Sequence, residues 1–535
     1  MSFDPISYSK AKSLFDDLDQ ALRTHLAEYA DLKGYVGYTE NDIYGVEADF
    51  VNNKFTRLAG AVGKTPGADF DSIKAFGGRR RCNLADDGTV NAYYGDAGYK
   101  EDGSNGQVMV EQPKFYYKVV PLEIEPIADY AEVNTFKITA GCSTSGDLTI
   151  ILNGVSFTVA VTAGDDINTV ASKIRNATFS GWTTSGSGDS VIFTCNETGA
   201  KTTGTFNGGS TGVTATVTKT VAGGKSKGYH MRKARYYVSD KPKPGFKVHP
   251  AFVRNGVEVD KIYLSAYEGS IYDVSESAYL LADEQIADFN ANKLSSIANA
   301  KPASGKSQIL TRANTRKLAN NRGVGWQLSD VLSVSVTQML FIIEYASFNT
   351  QDEIGLGVVY KHDDGSTNMS ELTGATANLG NASGMAAGTN GWTSVSYRGE
   401  ENPWGNIWKW VDGLNIEAKG IHQAYLADSG FADDIKTSPY KNCGFTLAKA
   451  NGYISAFGYS EDCDFLFLPS EVIGASNLPV GDHFYQNHNY NGFLAALLGG
   501  SWAYVSAAGA FFWSMYDAPS SRGRDVGGRL LYVPQ

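Results

Sequence analysis

Residues 497–535 read LLGGSWAYVSAAGAFFWSMYDAPSSRGRDVGGRLLYVPQ, and this stretch organises the sequence. It opens on Gly499-Gly500-Ser501-Trp502 and closes on Gly527-Gly528-Arg529-Leu530, where an apolar run begins. Aromatic residues are mixed with Ser, Ala, Asp and Arg, and no Asn, Lys, Glu or His occurs after residue 500. Rigid rings among small polar residues are typical of a recognition surface, because they give contact area at low entropic cost. The alternative is a buried C-terminal hairpin with a few exposed loop residues.

The composition indicates a large, β-rich protein. At 535 residues the chain has room for roughly three or four domains of ~100–200 residues each. An aromatic share of 12%, with 59 Gly and 15 Pro, indicates strands and long loops. The net charge of -11 argues against nucleic acid or an anionic membrane as the main partner. No signal-peptide layout is present and no apolar run approaches ~18 residues, so we expect a soluble protein made in the cytoplasm.

The cysteines are few and far apart in the sequence. The chain has five of them, Cys82, Cys142, Cys195, Cys443 and Cys463, and none belongs to a CxxC motif. This spacing argues against a disulfide scaffold and against a structural zinc site. We expect no cofactor.

The N-terminal residues 8–33 are predicted to form one amphipathic helix. Leu14, Leu18 and Leu22 recur at helical spacing, and Gly34 follows as a C-terminal stop. We expect residues 1–33 to serve in oligomerisation or docking; packing on the core of the same domain is the alternative, and His25 on this stripe is read as a packing residue.

Two strand-like runs flank a stretch of different character. The runs at 115–125 and 229–238 are predicted to be strands of one hairpin within a discontinuous β-rich domain, 34–127 plus 224–244. Residues 128–223, rich in Thr, Ser, Gly and Val, take the place of the turn and are predicted to be an inserted β-sandwich with a helix near 165–177. The segments TAGCSTSGDLTIILNGVSFTVAVTAGD and GWTTSGSGDSVIFTCNETGAKTTGTF resemble the immunoglobulin-like modules of phage virion proteins.

Residues 245–535 are predicted to form a further domain with few helices and long loops. Helices are expected near 283–298 and 311–320, and a third is marked by apolar residues from Leu332 to Ile343 at helical spacing. Beyond residue 350 the chain is loop-rich, which usually signals function. The overall expectation is an α+β, β-rich multidomain protein.

Three motifs in the C-terminal part resemble one family when taken in order. Gly325-Trp326-Gln327-Leu328 precedes the helix MLFIIEYAS, Asn402 begins the segment NPWGNIWKWVD, and the closing element runs from Gly499 to Leu530. Together they resemble the C-type-lectin fold shared by formylglycine-generating enzymes and the variable proteins of diversity-generating retroelements. Gly528 departs from the pattern, because the family usually has Phe there. Within this fold, Trp404, Trp408 and Trp410 are expected in the core, with the last two on one face of a strand.

The resemblance implies which residues would vary. The enzyme branch needs reactive cysteines near the C-terminal motif, and none occurs after Cys463, so we expect no enzyme activity. In the retroelement branch, adenine-directed mutagenesis rewrites Asn codons in the segment 497–535. The residues reachable in this way form the expected receptor-binding face: Ser501, Ala503, Tyr504, Ser506, Phe512, Ser514, Tyr516, Asp517, Arg522 and Asp525. The expected fixed scaffold is Trp502, Trp513, Met515, Gly528 and Arg529.

The whole arrangement resembles phage tail receptor-binding proteins of this retroelement type, the tropism determinants among them. This implies a homotrimeric virion protein that binds a bacterial surface protein or glycan, contacts other tail proteins, and uses no metal. Two alternatives stay open: a structural baseplate or decoration protein, and a formylglycine-type or glycan-processing enzyme. Carboxylates beside His362 and Cys463 are read as solvated loop residues rather than cation ligands.

Overall fold

A computed structural model describes residues 42–283, 288–306, 309–418, 420 and 422–535. The helix predicted over residues 8–33, including His25, lies outside the described residues. The helices are α1 Lys74–Gly77, α2 Ile167–Asn176, α3 Arg312–Asn320, α4 Val331–Tyr345 and α5 Thr350–Glu353. The helices expected near 165–177, near 311–320 and from Leu332 onward are therefore confirmed.

Strands make up most of the regular structure. Before and within the predicted insertion they are β1 Tyr44–Asp49, β2 Lys54–Ala59, β3 Arg80–Leu84, β4 Val90–Tyr93, β5 Gln107–Pro113, β6 Tyr116–Pro126, β7 Ala131–Ala140, β8 Gly146–Leu152, β9 Val155–Val161, β10 Trp182–Ser185, β11 Ser190–Thr198, β12 Thr205–Asn207 and β13 Thr214–Val221. After it come β14 Tyr229–Ser239, β15 Lys247–Val248, β16 Val253–Arg254, β17 Val257–Glu258, β18 Lys261–Ser265, β19 Ser270–Asp273, β20 Ala278–Leu280, β21 Lys293–Ser295, β22 Trp326–Leu328, β23 Gly384–Met385, β24 Val395–Tyr397, β25 Glu400–Glu401, β26 Trp408–Glu417, β27 Gln423–Leu426, β28 Lys441–Thr446, β29 Gly452–Tyr453, β30 Ala456–Tyr459, β31 Pro469–Glu471, β32 His483–Gln486, β33 Phe493–Leu498, β34 Trp513–Met515, β35 Val526–Gly527 and β36 Leu530–Tyr532. The expected α+β, β-rich class is confirmed.

Three large sheets organise the body of the protein. One has the order β15-β6-β14-β1-β2, with β30 joined to β14 and β31 to β30. A second has the order β22-β36-β18-β5-β3-β4, so the C-terminal strand lies between segments from the middle of the chain. The third has the order β28-β27-β26-β33-β34-β32-β29, with β35 parallel to β26. This third sheet carries the segment singled out in the sequence.

Helix α4 lies in the main hydrophobic core. Asp330 caps it by accepting a hydrogen bond from the backbone N–H of Ser333 at 2.8 Å, and Ala346 ends it in the left-handed conformation. The surrounding core takes side chains from β1 and β14 as well as from β26, β33 and β34. The boundary predicted near residue 245 therefore does not coincide with a break in the core.

The predicted insertion has a core of its own. Strands β6 and β14 pair antiparallel, with Pro126 opposite Tyr229, so the chain enters and leaves the insertion at neighbouring points. Between them, the sheets β10-β11-β7-β13 and β12-β8-β9 enclose a separate hydrophobic cluster with α2. Asp166 caps α2 by accepting from Thr169 N–H at 2.7 Å. Two sheets with one enclosed cluster form a sandwich; its immunoglobulin-like kinship stays a prediction.

One predicted helix is wrong in the part that the structure describes. Residues 293–295 of the segment 283–298 form β21, which pairs with β19 so that Ser270 lies opposite Ser295. Cross-strand hydrogen bonding and burial of Leu294 outweigh the helical spacing of the apolar residues. Among the described helices, none is long and apolar enough to cross a membrane.

Candidate functional site

Strand β34 separates two kinds of residue onto opposite faces of its sheet. Trp513 and Met515 belong to the main core, and the Trp513 indole N–H donates to the carbonyl of Phe467 at 2.9 Å. Ser514 lies directly between Leu497 of β33 and Tyr485 of β32, which pack in a different cluster. Side chains alternate along a strand. The predicted variable residue Ser514 therefore faces away from the predicted scaffold residues on either side of it.

A cluster of rings covers that second face. This aromatic cluster consists of Trp408, His483, Tyr485, Tyr504 and Phe512. Ring centroids lie 4.6 Å apart for Trp408 and Phe512, 5.0 Å for Trp408 and Tyr504, and 4.5 Å for His483 and Tyr485. Trp408 and Phe512 are buried, whereas His483, Tyr485 and Tyr504 are partly exposed. The cluster thus has a rigid floor and an accessible outer layer, as expected of a contact surface.

Two carboxylates lie beside the aromatic cluster. Asp525 accepts a hydrogen bond from the Ser501 hydroxyl at 3.1 Å. Burial, followed by the charge on Asp525, raises the pKa of the Asp517 carboxyl, and burial also raises the pKa of Asp525. Burial raises the pKa of Tyr504 to about 12, and the charges on both carboxylates contribute to that rise. The face therefore presents a neutral phenol at neutral pH, with two carboxyl groups beside it.

The loop before β34 is held in a strained conformation. Val505 has φ of 51° and is 39% exposed, although β-branched residues rarely adopt positive φ. Its N–H donates to the carbonyl of Val359 at 3.1 Å, and its own carbonyl accepts from the side chain of Gln351 at 2.9 Å. Such strain persists only where the surroundings impose it, and it is frequent at binding sites.

The predicted receptor-binding residues divide by burial into three groups. Ala503, Tyr516 and Arg522 are exposed, with Tyr516 at 53%. Tyr504, Ser506, Asp517 and Asp525 are partly buried. Ser501, Phe512 and Ser514 are buried.

The expectation that Phe512 is an exposed contact residue is wrong. Its ring is 0% exposed, because it fills the space between Trp408, Tyr485 and Tyr504. Ser501 and Ser514 are also too buried to contact a macromolecule directly, so the prediction that they are contact residues is wrong as well. These residues shape the face from beneath.

The expected scaffold residues are buried and well packed. Trp502 is 1% exposed and lies under the guanidinium of Arg524, 5.5 Å from the ring centroid. Arg529 donates to the carbonyls of Glu401 and Ser265, each at 2.7 Å, and so joins β25 to β18.

Gly528 is sterically required in this chain. A Cβ there would lie 2.6 Å from Thr315 Cγ2 and 2.9 Å from Leu328 Cδ1. The space that a Phe would need is already filled, so the departure from the family pattern leaves no gap.

The tryptophans of the segment NPWGNIWKWVD are in the core, as expected. Trp404 and Trp410 are fully buried, and Trp408 and Trp410 share one cluster and hence one face of β26.

Several residues of the site lie outside the segment 497–535. His483 and Tyr485 come from β32, and Tyr453 from β29 adds its hydroxyl, 3.3 Å from that of Ser506. The period-two pattern of His483 and Tyr485 was a usable strand signal, but nothing local in the sequence indicates which strand lies beside β34.

The described residues hold no group of three or more His, Cys, Asp or Glu side chains placed to bind a metal ion. His249 and His422 are fully buried, and burial lowers the pKa of each to about 3, so both imidazoles are neutral. Asp482, beneath the face, accepts from Phe511 N–H at 2.6 Å. Burial raises the pKa of this carboxyl well above its ordinary value.

Comparisons with known proteins find similar solved structures. No family model matches the chain, and no curated protein matches it. Solved structures titled Major Tropism Determinant U1, I1 and M1 variant are similar to it at 12%, 13% and 12% sequence identity, each with a TM-score of 0.22. These alignments cover 74%, 74% and 78% of this chain and 72%, 72% and 85% of those chains. At such a TM-score the likeness does not decide the function.

Proposed function

We propose that this protein is a phage receptor-binding protein whose C-terminal face binds a bacterial surface protein or glycan without covalent chemistry. The observation that carries the proposal is the division along β34. Predicted variable and predicted fixed residues alternate there, and they lie on opposite faces of the sheet. A sheet built in this way can change one face while Trp513 and Met515 keep the core intact.

The chemistry of the face supports binding rather than catalysis. Partly exposed rings in the aromatic cluster offer stacking area, and Asp517 and Asp525 offer hydrogen-bond acceptors. Tyr516 and Arg522, which belong to the same C-terminal segment, are exposed. Affinity per copy can be modest, because display as a homotrimer on a virion tail would raise it through multivalency. The negative net charge supports a partner other than nucleic acid.

The proposal predicts that removing exposed contact groups weakens host adsorption without unfolding the protein. We expect the pair Tyr516→Ala and Arg522→Ala to weaken adsorption at least about tenfold, the effect of a contact worth about 1.4 kcal/mol. Tyr504→Phe is a milder variant, because it removes only the hydroxyl and keeps the ring against Trp408 and Phe512. Adsorption is measured by depletion of free particles over host cells.

Tyr229→Ala is the matched control, because Tyr229 is 40% exposed but belongs to β14. It should adsorb like the unmodified protein. Normal adsorption of the Tyr516 and Arg522 variant, with its fold intact by circular dichroism, would contradict the site assignment. Diversification of the segment 497–535 is tested separately, by sequencing the genome around the gene. We expect a near-repeat of the codons for 497–535 beside a reverse transcriptase gene.

A further inference from the structure

Cys443 and Cys463 are neighbours in space although twenty positions separate them in the sequence. Cys443 lies in β28, and Cys463 ends the short 3-10 turn Glu461–Cys463 that follows β30. Ser460 joins the two segments: its hydroxyl donates to the carbonyl of Cys443 at 2.6 Å, and its carbonyl accepts from the N–H of Cys463 at 3.2 Å. The main chains on both sides are therefore held in place.

Both cysteine side chains are buried in the main hydrophobic core, and Ser460 binds the main chain of each. Cys443 is 0% exposed and Cys463 is 4% exposed, and neither is in a disulfide. A side-chain hydrogen bond with Cys463, followed by burial, raises the pKa of the Cys443 thiol. By contrast, the thiol of Cys142 donates to the backbone carbonyl of Thr144 at 3.1 Å.

A cavity that opens to solvent lies against Cys463. Its volume is about 500 Å³, and Cys463 forms part of its wall together with Leu332, Leu426, Lys441, Asp462 and Phe465. This space can hold a thiol compound of the size of a short peptide. Cys463 is thus the thiol that a reagent meets first, and Cys443 lies behind it.

We propose that Cys443 and Cys463 form a dithiol site that a small-molecule disulfide, such as glutathione disulfide, oxidises to an intramolecular disulfide. The thiolate of Cys463 attacks one sulfur of the reagent, so that a mixed disulfide forms and one small thiolate leaves. Cys443 then gives up its proton to solvent and attacks the Cys463 sulfur, which releases the second small thiolate. Two protein thiols are oxidised, and one disulfide is reduced to two thiols.

The new bond would join two sheets. Strand β28 belongs to the sheet that carries the binding face, whereas β30, just before Cys463, is joined to β14 of another sheet. A crosslink between them restricts the unfolded chain and so stabilises the fold. Reducing conditions in a cytoplasm would keep both thiols reduced, and oxidising conditions outside a cell would favour the disulfide bond. The oxidation is independent of the proposed receptor binding.

The test is oxidation of the full chain followed by mass spectrometry. The protein is incubated with glutathione disulfide at about pH 8, where thiolate formation is favoured, and free thiols are then blocked and the chain digested without reductant. We expect most molecules to contain the crosslinked peptide pair with Cys443 and Cys463, and to unfold at a higher temperature than the reduced protein. Cys443→Ser should instead retain one glutathionyl group on Cys463, because the second step is blocked.

The matched controls are Cys463→Ser, which should gain no glutathionyl group at Cys443, and Cys82→Ser, which should crosslink like the unmodified protein. Cys82 lies in β3 and is buried in a different hydrophobic cluster from Cys443 and Cys463. Full alkylation of both Cys443 and Cys463 after the incubation, in protein that folds normally, would overturn the proposal. So would a stable Cys463 adduct in the unmodified protein without any crosslink.

Discussion

At the scale of single residues, the loop beneath the proposed binding face is packed around one buried acid. Asp482 is 1% exposed and accepts from Phe511 N–H at 2.6 Å. Gly509 leaves room for it, since a Cβ there would lie 2.0 Å from Asp482 Oδ1. The loop that ends in Phe512 is thus fitted around a carboxyl group, and the chemistry of that group controls the stability of the loop.

The raised pKa of Asp482 predicts a pH dependence of stability. The folded state holds this proton more tightly than the unfolded state, where the pKa is about 3.9. Its contribution is therefore complete below that value and is lost as pH rises through the folded pKa. Asp482→Asn stays uncharged, so the free energy of unfolding should fall less steeply between about pH 4 and 8 than in the unmodified protein.

Chemical denaturation at several pH values measures this slope, and Asp102→Asn is the contrasting control. Hydrogen bonds from Ser104 lower the pKa of Asp102, so its contribution has the opposite sign and is lost as pH falls. Equal slopes for Asp482→Asn and the unmodified protein would show that the carboxyl is charged in the folded state.

At the scale of single elements, β34 predicts opposite tolerances at adjacent positions. Trp513→Ala removes a fully buried indole and its hydrogen bond to Phe467, and should cost roughly 3–5 kcal/mol of unfolding free energy. Ser514→Ala on the other face removes one hydroxyl and should change that free energy by at most about 1 kcal/mol. Urea unfolding of both variants measures the difference; similar losses would mean that β34 is not divided into core and variable faces.

The elements also show which structural features the sequence patterns predict and which they do not. Helix α4 follows from the spacing of Leu332, Val336 and Ile343, because an apolar period of that kind needs a core on one side. The prediction of fixed and variable residues in 497–535 rests on which residues mutagenesis of Asn codons can produce. Codons contain no information about burial. The codons therefore predict an exposed Phe512 wrongly. Whether its ring is exposed depends on Trp408 and Tyr485, which belong to other strands.

At the scale of the whole molecule, pairing between strands far apart in the sequence determines which segments share a core. Local sequence patterns do not show this. The predicted boundaries of the inserted sandwich rest on composition and turn residues, because the residue types change there. The predicted break near residue 245 had no such support, and β5 pairs with β18 across it, with Val110 opposite Leu264. Strands from both predicted domains fill one core, and single-sequence periodicity does not show which strands pair.

The independence of the sandwich can be tested by excising it. Its hydrophobic cluster is separate from the main core, and Lys449 of the body contacts it, with Nζ 2.9 Å from the centroid of the Tyr130 ring. Replacing residues 129–225 with a short Gly-Ser turn preserves the pairing of β6 with β14, because Ile127 and Gly228 are already hydrogen-bonded. We expect the shortened protein to unfold at nearly the same temperature and to adsorb to host cells normally.

The excised piece should also fold alone, because residues 128–223 contain both of its sheets and α2. A single cooperative thermal transition of the isolated fragment measures this. Loss of cooperativity in either piece would show that the two cores depend on each other. In that case the sandwich stabilises the body through the strands that carry it, and its removal should weaken adsorption even though it contributes no residue to the binding face.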